Sequence, residues 1–240
     1  MKKLLKYFVS ALFPKRCAYC GKVIAADELM CSVCAADLPR IEGTVCPKCG
    51  RGKELCSCRG AEMYFSRLAA PFYFKGVVRK GIHSFKFRRS PENAETYAVE
   101  MANTVKDAYG GTAFDFIAEV PMTAAGEKER GYNQVRLLAE RLGSLLGIEH
   151  RRGLMIKLYE TQKQHGLSKF LRKGNLTGVF DVSEPSAVEG KTILLCDDIS
   201  TSGETLNECA KMLWLYGARD VLCITVALTV SENGRKDIHK

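Results

Sequence analysis

A chain of 240 residues, 46% hydrophobic and 26% charged, sits at the globular averages and has room for one large domain, or a medium domain plus a small one. That balance excludes disordered and fibrous classes, and no apolar run reaches the roughly 18–20 residues a membrane span needs. The net charge of +9 is uneven: residues 1–60 hold 11 Lys and Arg against five acids, and residues 61–240 hold 25 against 22, so a basic head suggests a polyanionic partner.

Residues 3–12 predict a short amphipathic helix ended by Pro14, with Leu4, Leu5, Phe8 and Leu12 either docked on the body or touching a membrane surface. The stretch starts basic, like a secretion signal. Lys6 interrupts it, and Pro14-Lys15-Arg16 stands where a small-residue cleavage site would be, which points to the cytoplasm. There, paired cysteines mean metal more often than disulfide.

Of 11 cysteines, eight fall in the first 58 residues, as Cys17-x-x-Cys20-Gly21, Cys31-x-x-Cys34, Cys46-x-x-Cys49-Gly50 and Cys56-x-Cys58. A CxxC turn aims two thiolates at one ion, and tetrahedral zinc takes two such pairs. Eight ligands make two sites, in sequential pairing 17/20/31/34 and 46/49/56/58; spacing alone also allows an interleaved pairing. Disulfides or an iron–sulfur cluster are the rival uses of these residues. Four thiolates leave no open position for catalysis, so the expected zinc is structural and folds a segment too small for its own core. Eight thiolates with two Zn²⁺ carry −4. The head then falls from +6 to about +2, which weakens the charge argument for nucleic acid.

The body alternates strand and helix. A strand is predicted over 68–74 and a helix over 77–87, where Val78, Ile82 and Phe85 share helical spacing. The stretch 72–89 holds Lys75, Arg79, Lys80, Lys86, Arg88 and Arg89 with five aromatics and no acid. Basic residues among aromatics suit single-stranded nucleic acid, but Phe72, Phe74 and Phe85 also fit a core stripe under a basic surface, and His83 reads as packed or surface. A second helix covers 94–108, and a buried strand at 116–120 ends at Pro121. A helix over 131–146 lines Val135, Leu138, Ala139, Leu142 and Leu146 along one face. A polar loop at 157–177 breaks the alternation. Residues 150–173 carry seven Lys and Arg against Glu160 alone, a segment that a pyrophosphate would order. A short strand at 180–182, a buried strand at 192–196, a helix at 205–216 and a strand at 221–228 follow. This order argues for an α/β fold, a parallel sheet with helices on both faces that binds ligands at the carboxyl ends of its strands. Cys196, Cys209 and Cys223 read as small buried hydrophobes.

The string ILLCDDISTSGET at 193–205 is the most informative. Apolar residues form a strand, Asp197 and Asp198 close it, and a turn of small residues feeds a helix. Unpaired N–H groups and the positive end of the dipole at a helix start favour a phosphate. Hydroxyls add donors, and Gly203 lets the backbone come close. Two carboxylates would repel that phosphate, but they suit adjacent ribose hydroxyls. The plain alternative is a helix N-cap beside two solvated carboxylates. The string is no Walker loop, since it lacks the Lys and its carboxylates come first.

This string resembles the 13-residue motif by which type I phosphoribosyltransferases bind 5-phosphoribosyl 1-pyrophosphate (PRPP). Nearly end to end, the chain resembles the ComF family. The Cys pairs, IHSFKF at 82–87, Val120-Pro121, RGYNQ at 130–134, Thr161-Gln162, Leu167, Arg172, Asn175, Phe180 and the 197–205 loop carry the resemblance. Ser202 stands where Thr is more usual and keeps the hydroxyl. The resemblance implies a type I phosphoribosyltransferase fold over 61–240, a mostly parallel twisted sheet flanked by helices, behind a small Cys-rich zinc-binding unit over 1–60. It implies transfer of the phosphoribosyl group to an unidentified acceptor with release of pyrophosphate, or else a non-catalytic PRPP or nucleotide sensor or a single-stranded-DNA adaptor. Asp197, Asp198 and Arg130 would be catalytic. Those two aspartates with Ser200, Thr201, Ser202, Gly203, Glu204, Thr205, Pro121 and Lys86 would bind PRPP, and Gln162, Arg172 and Asn175 would sit on a mobile hood. Mg²⁺ would ride in with PRPP. The family's link to competence implies single-stranded DNA and a helicase as partners.

Overall fold

The computed structural model describes residues 14–56, 58, 62–158 and 178–230. The helix expected at 3–12 and the hood candidates Gln162, Arg172 and Asn175 lie outside the described residues.

Five strands form a wholly parallel sheet in which β7 (Asp220–Leu228) is central. On one side it pairs with β1 (Arg67–Ala69) and β2 (Phe72–Tyr73). On the other it pairs with β6 (Thr192–Ser200), which pairs in turn with β3 (Phe116–Glu119). The strand expected at 68–74 is broken in two at Pro71, which has no N–H to give the ladder. The strand expected at 192–196 runs on to Ser200, because β7 continues to pair with it through Ser200–Leu228.

Side chains along β6 alternate between two cores, as the period of two dictates. Leu194 and Cys196 join the core under α2 (Gly76–Phe87), α3 (Asn93–Tyr109) and α5 (Gln134–Leu146); Ile193 and Leu195 join the core under α6 (Glu204–Leu215). Both faces are therefore covered, as an all-parallel sheet requires. Cys196, Cys209 and Cys223 have no exposure and fill these cores as expected. An antiparallel pair, β4 (Met155–Lys157) with β5 (Phe180–Val182), covers the second core.

The helix expected at 131–146 starts three residues later. A separate short helix, α4 (Ala124–Arg130), precedes it and ends at Gly131, whose φ is 83°. Asn133 then caps α5, its Oδ1 accepting from Arg136 N at 3.0 Å.

The Cys-rich segment, which holds the short helix α1 (Ser32–Ala36), lies on the open edge beside β1 and β2. Leu68 N donates to Pro47 O at 2.9 Å, Ile41 N to Pro71 O at 3.0 Å and Tyr73 N to Pro39 O at 2.8 Å, so head backbone takes the pairing that a neighbouring strand would give. Arg40 makes a bidentate pair with Glu100 of α3 at 2.9 and 3.1 Å. Tyr19 packs edge-on to Phe72 and Tyr97 in the first core. Edge protection follows, since an uncovered edge strand is a template for association.

Candidate functional site

The carboxyl end of β6 gathers the expected phosphate-site residues. Asp197 and Asp198 are neighbours in one strand and so take opposite faces. Asp198 falls on the side of Leu194 and Cys196, Asp197 on the side of Ile193 and Leu195. Asp198 is 5% exposed, and Lys86 of α2 donates to its Oδ1 and Gln134 of α5 to its Oδ2, both at 2.8 Å. Asp197 accepts the Asp198 N–H on its own Oδ1 at 2.7 Å. Burial, and then the Asp198 charge, push the Asp197 carboxyl up to about 8, against the weaker pull of Lys86 and Arg130. The pair is thus an ion-paired Asp198 beside an Asp197 carboxyl whose pKa is driven upward.

Thr201 and Ser202 stand exposed in the turn that follows, and Gly203, with φ 84°, opens α6 without any side-chain cap. The first N–H groups of α6 are therefore free for a ligand. Glu204 and Thr205 lie half-buried in its first turn. Ser200, 3% exposed, has a buried Oγ with no partner. That hydroxyl lies 3.9 Å from where a Cβ on Gly203 would stand. Buried hydroxyls seldom go unpaired, so this one marks a place for an acceptor.

RGYNQ is a construction kit for the same corner. Arg130 ends α4 and lays its guanidinium 5.4 Å over the Phe87 ring. Gly131 turns the chain, the Tyr132 hydroxyl donates to the Phe85 carbonyl of α2, Asn133 caps α5, and Gln134 reaches Asp198. The Gln134 Oε1 is buried without a partner. Pro121 closes β3 beside this corner. At that strand's end, Glu119, 2% exposed, bonds the His150 ring at 2.8 Å and Gly153 N at 3.1 Å. Burial alone would raise the Glu119 carboxyl, but the His150 and Gly153 bonds outweigh it and hold the pKa below its usual range.

A groove of about 1140 Å³ leads away from Lys86, Arg130 and Ile199 along α2 to the first cysteine knuckle. Arg16, Arg79, Lys80 and Arg88 line it with those two cations, against one acid, Glu92. Phe72 and Phe85 are core residues, as the stripe reading had it, while Phe87 is 55% exposed and packs at a tilt against exposed His83.

The eight head cysteines form two groups, Cys17, Cys20, Cys31 and Cys34, and Cys46, Cys49, Cys56 and Cys58, each with all four sulfurs within 4.8 Å of one another. This is the sequential pairing. Sulfur separations of 3.7 Å for Cys20–Cys31 and 3.5 Å for Cys46–Cys58 suit the edges of a tetrahedron with Zn–S bonds of about 2.3 Å. The Cys34 N–H bonds the Cys31 sulfur at 3.5 Å and brings that thiol down to about 7, toward the thiolate a metal needs. The donor sets fit two structural zinc ions.

Sequence reasoning missed two participants. Gln134 stood inside a quoted motif, but its role depends on the angle between α5 and β6. Arg51 carried no signal at all. It follows the second knuckle and donates to Thr201 O at 2.5 Å.

These features define a phosphoribosyltransferase-domain protein with a double zinc ribbon. The double zinc ribbon domain family matches residues 8–64, and the phosphoribosyl transferase domain family matches residues 151–240. Competence protein ComFC of Bacillus subtilis is 27% identical over 201 residues, 80% of each chain. DNA utilization protein YhgH of Escherichia coli K12 is 30% identical over 226 residues, 89% of this chain and 98% of that one. The chain belongs to the ComF family. A hypoxanthine phosphoribosyltransferase from Staphylococcus aureus overlays at TM-score 0.33 and 13% identity, covering 65% of this chain and 74% of that one, too loosely to add weight. Among the described residues no helix is long and apolar enough to cross a membrane.

Proposed function

We propose that this chain binds PRPP with Mg²⁺ and transfers its phosphoribosyl group to an acceptor in the cytoplasm, releasing pyrophosphate. The observation that carries this reading is the unpartnered, buried Ser200 hydroxyl beneath the uncapped start of α6, next to the Asp197–Asp198 pair. In this reading residues 61–240 form the catalytic unit and 1–60 the zinc-bearing one. Ser200, Thr201, Ser202, Gly203, Glu204 and Thr205 take the 5′-phosphate. Asp197 and Asp198 accept the ribose hydroxyls, and Lys86, already paired with Asp198, offsets their repulsion of the phosphates. Arg130 and the backbone after Pro121 meet the leaving pyrophosphate, and Gln162, Arg172 and Asn175 are further candidates to bind it. Bound Mg²⁺ would neutralise pyrophosphate charge; the protein's share is positioning and charge stabilisation as the C1′–O bond breaks.

Calorimetry with PRPP and Mg²⁺ tests the site. Wild type should bind, and the D197N/D198N double variant should lose that binding. Equal affinity in the two would reject the assignment. Pyrophosphate release on adding candidate bases then reads transfer.

A second reading is a non-catalytic adaptor for single-stranded DNA that works with a helicase, favoured by the basic groove along α2 and by the competence and DNA-utilization names of the relatives. It expects no pyrophosphate release with any acceptor. It also expects a salt-dependent DNA affinity that falls when Arg79, Lys80 and Arg88 are neutralised; an unchanged affinity rejects the groove.

A further inference from the structure

Arg51 is 7% exposed and binds three carbonyls. Its Nε donates to Thr229 O at 2.8 Å, its Nη2 to Thr201 O at 2.5 Å and its Nη1 to Cys49 O at 3.5 Å. All three acceptors are neutral. A buried cation is costly unless negative charge lies near. Two sources fit: the four-thiolate site behind it, which carries −2 with zinc bound, and an anion in the 201–205 turn ahead of it.

The knuckle fixes where this guanidinium lies. Cys46 N donates to Arg51 O at 2.7 Å and Gly50 N to Cys46 O at 2.8 Å. Gly50 has φ 67°, and a Cβ there would stand 2.7 Å from Leu68 O, so the knuckle backbone sits hard against β1. Gly52 N donates to the Tyr73 hydroxyl at 3.1 Å. The guanidinium in turn fixes the Thr201 carbonyl. Because the peptide unit is planar and trans, a carbonyl drawn to Arg51 aims the Ser202 N–H the opposite way, where it is held as a donor for an anion.

We propose that Arg51 is a positioning residue that presets the 201–205 turn for a phosphate, and that it does so only while the Cys46, Cys49, Cys56 and Cys58 site holds its metal ion. This deepens, and rests on, the reading of that turn as the 5′-phosphate site. It makes the zinc ribbon part of the phosphate site.

The test uses full-length R51M and R51K chains, read by amide hydrogen exchange across 200–206, zinc content and titration with PRPP and Mg²⁺. R51M should keep both zinc ions, exchange faster across 200–206, and bind PRPP about tenfold more weakly, as loss of a hydrogen bond from a charged group does. R51K keeps the charge but not the fork, and should fall between. Wild-type exchange and affinity in zinc-loaded R51M would overturn the proposal. If R51M sheds zinc, R51K carries the same comparison, and wild-type exchange in R51K overturns it. Chelating zinc from wild type should reproduce the R51M exchange pattern at 200–206, and an unchanged pattern there counts equally against the proposal. The exchange arm needs no PRPP: if wild type binds none while R51M still loosens the turn, the PRPP reading fails and the clamp stands.

Discussion

Asp197 keeps its proton to about pH 8 in the fold, against 3.8 for the free side chain. The folded state therefore binds the extra proton across that window, and stability falls as pH rises through it. D197N cannot ionise and removes this slope. Relative to wild type, the variant should gain about 1 kcal/mol or more between pH 5 and pH 9, roughly 2–4 °C per kcal/mol in Tm at this chain length. Thermal scans across that range read it, and a constant Tm difference would refute the raised pKa of Asp197. Lys86 and Asp198 form the complementary case, a partly buried ion pair at 2.8 Å. K86M leaves a buried carboxylate to Gln134 alone and should cost about 3–5 kcal/mol. K86M/D198N removes both charges and should recover much of that loss, which a denaturant-unfolding double-mutant cycle measures. Additive losses would show that the two side chains do not act as a pair.

Much at the level of elements was legible because it is local. Cysteine spacing announced two four-sulfur sites but left their pairing open, the alternation of apolar segments pointed to the parallel sheet, and the small-residue turn after β6 was visible as a helix start. Boundaries failed where tertiary pairing overrides pattern. Polar Asp197 and Asp198 ended the strand on paper, yet β7 keeps β6 extended through Ser200. Pro71 broke a strand that hydropathy joined. Gly131, read as the first residue of a helix, instead ends the short helix α4 before it. Gln134 and Arg51 were illegible for a different reason, since their partners lie 64 and 150 positions away. At the same scale, Gly50 should tolerate no side chain. G50A meets both a left-handed backbone and the Leu68 carbonyl, so it should cost about 1–3 kcal/mol and lower zinc content at the second site. Full zinc loading with an unchanged Tm would contradict the close packing of knuckle on β1.

At the scale of the molecule, the Cys-rich segment shares the body's structure. Ala18 O accepts from Asn93 Nδ2 at 3.3 Å and from the Tyr97 hydroxyl at 3.1 Å, and Cys17 and Cys34 sit in the first core. Zinc binding energy in such a segment is folding energy. Stripping both ions should therefore lower the Tm of the α/β body as well as loosen the head, seen by near-ultraviolet dichroism of Tyr97 and its aromatic neighbours during a chelator titration. A body transition that ignores zinc would mean that the two parts are energetically separate.

The same docking orders events in time. The knuckles precede every strand of the sheet in the chain and so leave the ribosome before any of them. The edge they cover, β1 and β2, pairs with β7, the last strand among the described residues, and Arg51 waits 178 positions for Thr229. A nascent chain thus carries both cysteine groups long before the strand that Arg51 ties them to exists. Chains cut short before residue 220 would lack the one strand that β1, β2 and β6 all pair with, and the head would have no ordered edge to cover.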